Sequence, residues 1–440
     1  MNWGKLNNFV QYSLSLPSLF LIFITCSSAT IGILYLQSPF DIGLQYMPAL
    51  ASLAYFTVRL FVVVNNGLVV SRNEMLAIVF VLSTTVSVCI QILLELDYVD
   101  RNGKSALDYT IAMWVFNLFY FFAGGACVRV SYKKSNVLAI ALTLMVFIPF
   151  LTASNGGLFL DYYRLRVATG MDGLTHLIIS EWCVFLFIGA FAFAGEKLRP
   201  LILLVSAFCL FGMQGRSSTF FTVFTLVAFW LLSVGFKLAF KLAIKYMVIV
   251  VVVAIVVYVS PFSDQLLLVN ENALGRMLLS EGEDGSLNAR GDLFIKSLEH
   301  LPKSILYGDP TYIAYEAGSM GSYIHNILSM WQFFGLLPFI LILVIYARAL
   351  LIMKNRMEKG DLTVMEEFAC MILIYSSVSI VLSKSVVFYW MWFSAGYWML
   401  LYSPLIKKDK KNKRRRRRRK RRSKQRRFRS IGEKLYTHLQ

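Results

Sequence analysis

The sequence predicts an all-α polytopic membrane protein of about 12 transmembrane helices with one large outer loop. Of its 440 residues, 57% are apolar and 16% charged, against roughly 45–50% and about 25% in a soluble domain. Apolar runs of about 20 residues, the number that crosses a bilayer core as helix, follow one another along most of the chain. A soluble globular enzyme is thereby excluded. Aromatics reach 15%, unlike an Ala/Leu coiled coil, and no period of about 20 to 50 residues recurs to suggest a solenoid.

Windows of about 19 residues place spans near 16–36, 47–70, 75–95, 108–128, 137–153, 176–194, 199–214, 218–236, 241–260, 324–350, 367–383 and 386–405. The first run is longer than the roughly 7 to 15 residues of a signal-peptide core and lacks an A-x-A site, so it reads as a span. The second is the most polar, with Arg59, Asn65 and Asn66 inside it. All six cysteines (Cys26, Cys89, Cys127, Cys183, Cys209, Cys370) fall in apolar runs without a C-x-x-C, which indicates neither a disulfide framework nor a thiolate metal site.

The net charge of +19 divides unevenly. Residues 407–440 hold 8 Lys and 11 Arg against Asp409 and Glu433, leaving residues 1–406, the helical domain, at +2. With this polybasic, expectedly disordered tail in the cytoplasm, 14 basic residues before it fall on inner segments and 10 on the longer outer ones. Both termini are then cytoplasmic. The tail reads as a binder of anionic headgroups, at about 1 kcal/mol per basic residue near the surface; without a folded reader, nucleic acid is not expected as a partner.

Two outer segments are long, 154–175 and 261–323. The second contains amphipathic stretches at Asp264–Leu279 and Ala289–Leu301, then a turn-rich Tyr307-Gly308-Asp309-Pro310. Loops of this length without a role are uncommon, which places the chemistry outside.

Outer arginines run against the topology rule and need a reason. Arg216 sits at the mouth of a span, Arg164 and Arg166 follow Asp161 in one outer loop, and Arg290 precedes Asp292 in the other. Guanidinium grips phosphate bidentately and stays charged, which suits an anionic lipid-linked substrate; the alternative is snorkelling to headgroups. His325 opens a span directly after the long loop, placed either to accept a proton near neutral pH or simply to hydrogen-bond at a helix start. His176 and His300 are also outside and read more readily as loop or helix-end residues. Arg59, near mid-bilayer, either touches substrate phosphate or pairs with an acid such as Glu181. The histidines are too scattered for a metal centre, Glu281-Gly282-Glu283-Asp284 reads as a solvated turn, and no Walker A, G-x-G-x-x-G or G-x-S-x-G motif occurs, so no metal or cofactor is expected.

In order, the Arg166…Gly170…His176 stretch, Gly215-Arg216-Ser217, the large outer loop, and Ser322-Tyr323-Ile324-His325-Asn326 followed by Phe334-Gly335-Leu336-Leu337-Pro338 resemble the Wzy-type O-antigen polymerases within the O-antigen ligase/polymerase superfamily. The likeness covers residues 154–350; the first half matches only as a set of spans. The resemblance implies a GT-C-type, metal-independent glycosyltransferase for lipopolysaccharide biosynthesis in the bacterial inner membrane. It would act on undecaprenyl-diphosphate-linked glycans at the periplasmic face, with a chain-length regulator as a candidate partner. It makes Arg166, Arg216 and Arg290 binders of the diphosphate and His325 the catalytic or acceptor-contacting residue. The polybasic tail departs from that pattern. A ligase that transfers polymer to lipid A core shares the same outer pattern. A lipid-linked oligosaccharide flippase or other transporter should instead gather its polar residues at mid-membrane or in repeated halves, and Arg59 is the best sign of one.

Overall fold

The computed structural model describes residues 71–100, 105–128, 133–153, 176–213, 216–234, 285–317, 326–360, 362–386 and 388–401, with Phe23, Cys26, Gly103, Val167 and Ile324. The helices are α1 Arg72–Leu93, α2 Ala106–Cys127, α3 Asn136–Ala153, α4 His176–Phe193, α5 Arg199–Gly212, α6 Arg216–Val234, α7 Gly285–His300, α8 Thr311–Ala317, α9 Ser329–Phe334, α10 Leu336–Met357, α11 Val364–Leu382 and α12 Tyr389–Leu400. Among the described residues no strand forms, only an isolated antiparallel bridge between Val99 and Ser105. Among the described residues four helices, α1, α2, α10 and α11, are long and apolar enough to cross a membrane. The runs at 16–36, 47–70 and 241–260, the stretch Asp264–Leu279 and the tail 407–440 lie outside the described residues, apart from Phe23 and Cys26.

Helix starts follow from local chemistry. Ser71 caps α1 and Thr363 caps α11, each closing a reciprocal box with the glutamate three residues on, Glu74 and Glu366, so two otherwise unpaired N–H groups are satisfied per start. Ser105 caps α2, and Asp97 braces that start by accepting from Ser105 Oγ (2.8 Å) and the Leu107 amide (3.1 Å). Partial burial opposes ionisation of Asp97, but these bonds outweigh it and hold its carboxyl below the ordinary carboxylate value.

The apolar run expected as one span over 324–350 is instead two helices. Gly335, at φ +89°, stands between α9 and α10, a conformation that L side chains avoid. The crossing chain segment fixes it there: Leu336 N donates to Ile305 O (2.8 Å), and a Cβ on Gly335 would lie 2.6 Å from Leu306 O. The spanning helix therefore starts after the glycine, with Pro338 in its first turn where no N–H is needed. Of the final run, expected over 386–405, the described residues form the helix Tyr389–Leu400.

That short helix is the centre of the bundle. Trp390, Trp392 and Trp398 of α12 are fully buried, and Phe185 of α4 stacks on Trp390 with ring centroids 3.9 Å apart and planes at 10°. On the α2 side Gly124 lies against the Phe393 carbonyl and Gly396 against the Phe121 carbonyl, a small-residue seam that lets two backbones touch. The outer surface is apolar too: Met75, Val79, Leu82, Val86 and Leu93 form an exposed stripe on α1, and Leu337, Ile340, Val344 and Leu351 another on α10. Apolar stripes facing outward from an aromatic core suit a hydrocarbon solvent.

One end of the bundle is fastened by basic residues. Arg199 and Lys134 (3.4 Å) both pair with Glu367, Arg356 grips Glu366 through Nε (3.0 Å) and Nη2 (2.8 Å), and Arg348 bonds Asn73. All four basic residues are among those that the charge pattern assigns to the inner side.

Candidate functional site: a buried polar network at the opposite end

At the other end a carboxylate lies inside the bundle. Glu181, five residues into α4, accepts from Lys384 Nζ (2.7 Å) and Ser218 Oγ (2.9 Å) on Oε1 and from Tyr375 OH (2.9 Å) on Oε2. The side chains of Lys384 and Glu181 are 15% and 7% exposed. Ser180 Oγ meets Ser218 Oγ at 3.1 Å, and the Lys384 ammonium lies 6.0 Å from the Phe388 ring centroid. The network ties α4, α6, α11 and the turn before α12 together. Lys384 follows the C-terminus of α11, the end where a helix dipole favours a cation. Desolvating two charges costs several kcal/mol per ion, so a pair inside a membrane bundle marks a functional site by default.

The turn after Lys384 connects this network to the other elements at this end of the bundle. Val386 N donates to Ser329 Oγ (2.6 Å), while Val386 O accepts from Asn117 Nδ2 (3.1 Å) and Trp392 Nε1 (3.0 Å). Upstream of Ser329, Ile324 N donates to Gln332 Oε1 (3.1 Å) and Leu328 N to Asn326 Oδ1 (2.9 Å). Ile324 and Leu301 form a small apolar cluster with Leu293 and Phe294 of α7, Tyr312, Leu328 and Trp331. On the α1 side, Gln91 Nε2 donates to Tyr307 O (2.6 Å) and Phe333 O (2.7 Å), and Ser87 Oγ to Phe334 O (2.6 Å). The loop between α7 and α9 is thus bonded into the bundle end through its described residues.

That loop holds a second polar unit. His300 Nε2 lies 2.9 Å from Asp309 Oδ2, and its ring stacks on Tyr312 with centroids 3.7 Å apart at 4°. The other oxygen of Asp309 caps α8 by accepting from Thr311 N (2.9 Å) and Thr311 Oγ1 (2.7 Å). Gly308 (φ +76°) precedes it where a Cβ would lie 2.6 Å from Gln332 O. Lys296 pairs with Glu316 at 3.0 Å, and the hydrogen bond that the ammonium donates to that carboxylate raises the lysine above its ordinary value.

The elements carrying several sequence-predicted site residues meet here. His176 and Arg216 are the first residues of α4 and α6, the helices joined by Ser180, Glu181 and Ser218. Arg290 lies on α7, and Asp292 is an exposed residue of that helix one turn before Lys296. His325, Arg166, Arg164, Asp161 and Arg59 lie outside the described residues, although both chain neighbours of His325 are in the site's bonded framework. Glu181, considered in the sequence as a partner for Arg59, has Lys384 as its cation among the described residues. Sequence reasoning passed over Lys384 and Tyr375; the available signal was a lysine on an outer turn between two apolar helices. Among the described residues no group of three or more His, Cys, Asp or Glu is placed to hold a metal.

Comparison of the chain with protein families, with characterised proteins and with solved structures finds no match.

Proposed function

We propose that the protein polymerises undecaprenyl-diphosphate-linked oligosaccharide repeat units into O-antigen or a similar surface polysaccharide. In this reading it is an inverting GT-C-type transferase of about 12 spans, with both termini cytoplasmic and its site at the periplasmic face of a bacterial inner membrane. The observation that carries the reading is the meeting, at one bundle end, of the helix starts bearing His176 and Arg216, the buried Glu181–Lys384 pair and the loop framework on either side of His325.

The reaction sets two demands. A hydroxyl of the acceptor unit attacks the anomeric carbon of the donor while the bond to diphosphate breaks, so negative charge builds on the leaving group. Arg166, Arg216 and Arg290 stabilise that charge. The hydroxyl proton goes to His325, with Asp292 or Asp161 as the other candidate acceptor. A single displacement inverts the anomeric centre, and retention in the product linkage would sink this mechanism.

The test deletes the gene in its host and restores wild type, His325→Ala or Arg290→Ala at equal expression, then sizes surface and lipid-linked glycans on a gel. A polymerase defect leaves core lipid capped by one repeat unit. Long polymer on undecaprenyl carrier with bare core lipid identifies a ligase. Unpolymerised units trapped on the cytoplasmic leaflet identify a transporter, the reading that the intramembrane ion pair alone would favour.

A further inference from the structure

The polar partners of the buried pair are distributed unequally. Glu181 is surrounded by donors: Ser218 Oγ and Lys384 Nζ on one oxygen, Tyr375 OH on the other. Lys384 has three N–H donors, yet among the described residues its ammonium meets one acceptor, Glu181 Oε1, and the face of the Phe388 ring. The carboxylate would keep two hydroxyl donors if the lysine turned away, whereas the ammonium holds donor capacity in reserve. The surroundings also favour an anion. Ser218, bonded to the same carboxylate oxygen as Lys384, lies in the first turn of the 19-residue helix α6, whose N-terminal amides point toward this end. Arg216 is the first residue of that helix.

We infer that Lys384 is a binding residue for the diphosphate group of a polyprenyl diphosphate, and that Glu181 is the counter-ion that holds its ammonium in place until the ligand arrives. The inference rests on the proposed function and adds a residue to it. When the ligand binds, phosphate oxygens replace Glu181 Oε1 as the acceptor for Lys384, and Ser218 and Tyr375 keep Glu181 hydrogen-bonded.

The test measures binding of undecaprenyl diphosphate to the full-length protein in detergent, with inorganic diphosphate and phosphatidylglycerol as parallel probes. Lys384→Met alone orphans a buried carboxylate, so the informative variants are Lys384→Arg, Glu181→Gln and the double variant Glu181→Gln/Lys384→Met, which removes both charges. The expected result is wild-type binding within about threefold for Lys384→Arg and unchanged or tighter binding for Glu181→Gln. The double variant, folded by size exclusion, should bind about 10- to 100-fold more weakly, the loss of one charged hydrogen bond. Weaker inorganic diphosphate binding with the same Lys384 dependence supports the same site. Three outcomes overturn it: a double variant that binds as wild type, a Glu181→Gln protein that loses as much as the double variant, or phosphatidylglycerol binding as tightly as undecaprenyl diphosphate. Wild-type protein that binds no undecaprenyl diphosphate overturns both this inference and the proposed function, whereas binding insensitive to Lys384 overturns the inference alone.

Discussion

Gly396→Ala is the sharpest test of the bundle's centre. A Cβ there falls inside the contact envelope of the Phe121 carbonyl, a backbone group that cannot rotate aside. Since carbon–oxygen contacts close near about 3.3 Å, α2 and α12 must separate by about 1–1.5 Å. A gap of about 0.5–1 Å already forfeits about a quarter to a half of each dispersion contact, and the seam includes Phe80, Phe121, Trp392 and Phe393. The cost should reach about 3 kcal/mol, the upper end for overpacked cores. Titration with a denaturing detergent, followed by tryptophan fluorescence, measures it. Gly291→Ala is the control, because its Cβ enters open space on exposed α7 and should be neutral or stabilising by up to about 1 kcal/mol. Gly124→Ala with Gly396→Ala should cost less than their sum, since the first separation relieves the second clash. Gly396→Ala within about 0.5 kcal/mol of wild type would refute the close-contact reasoning.

Gln91→Leu removes the donor shared by Tyr307 O and Phe333 O and should loosen the loop between α7 and α9 by about 1–3 kcal/mol, read as faster proteolysis within residues 301–334 in an otherwise intact bundle. Asp97 has a folded pKa below its ordinary 3.8, so its stabilisation is present above that value and is lost as pH falls through the folded pKa. Asp97→Asn should therefore lower thermal stability at pH 7 and narrow the gap to wild type under more acid conditions; a gap independent of pH would contradict the assignment.

Hydropathy located the apolar helices at 75–95, 108–128 and 367–383 because a 20-residue apolar stretch reports one property, transfer into hydrocarbon, that needs no tertiary partner. It failed at 324–350 for a physical reason. The residues of α9 extend the apolar run, but they pack inside the protein beside α1 and the crossing chain, and the positive φ of Gly335 divides the run. Charge patterning likewise collected Lys134, Arg199, Arg348 and Arg356 at one end but did not reveal their partners, because Glu367 lies far in sequence from Lys134 and Arg199, as Asn73 does from Arg348. The Glu181–Lys384 pair was illegible for the same reason. Arg216 and His176 were visible as polar residues at span starts, and their helices do converge; the His300–Asp309 pair and its Tyr312 stack were not legible, because none of these residues alone departs from ordinary loop composition.

The position of α12 has a consequence for how the chain is made. The helix at the centre of the bundle lies near residue 400, so each earlier helix leaves the ribosome before the element it will surround exists. Glu181 precedes its lysine by about 200 residues, which at about 5–20 residues per second leaves that carboxylate without its cation for about 10–40 s. Assembly is then a late event. Arrival of the tryptophan-rich segment then completes the core and brings Lys384 to Glu181 in the same step.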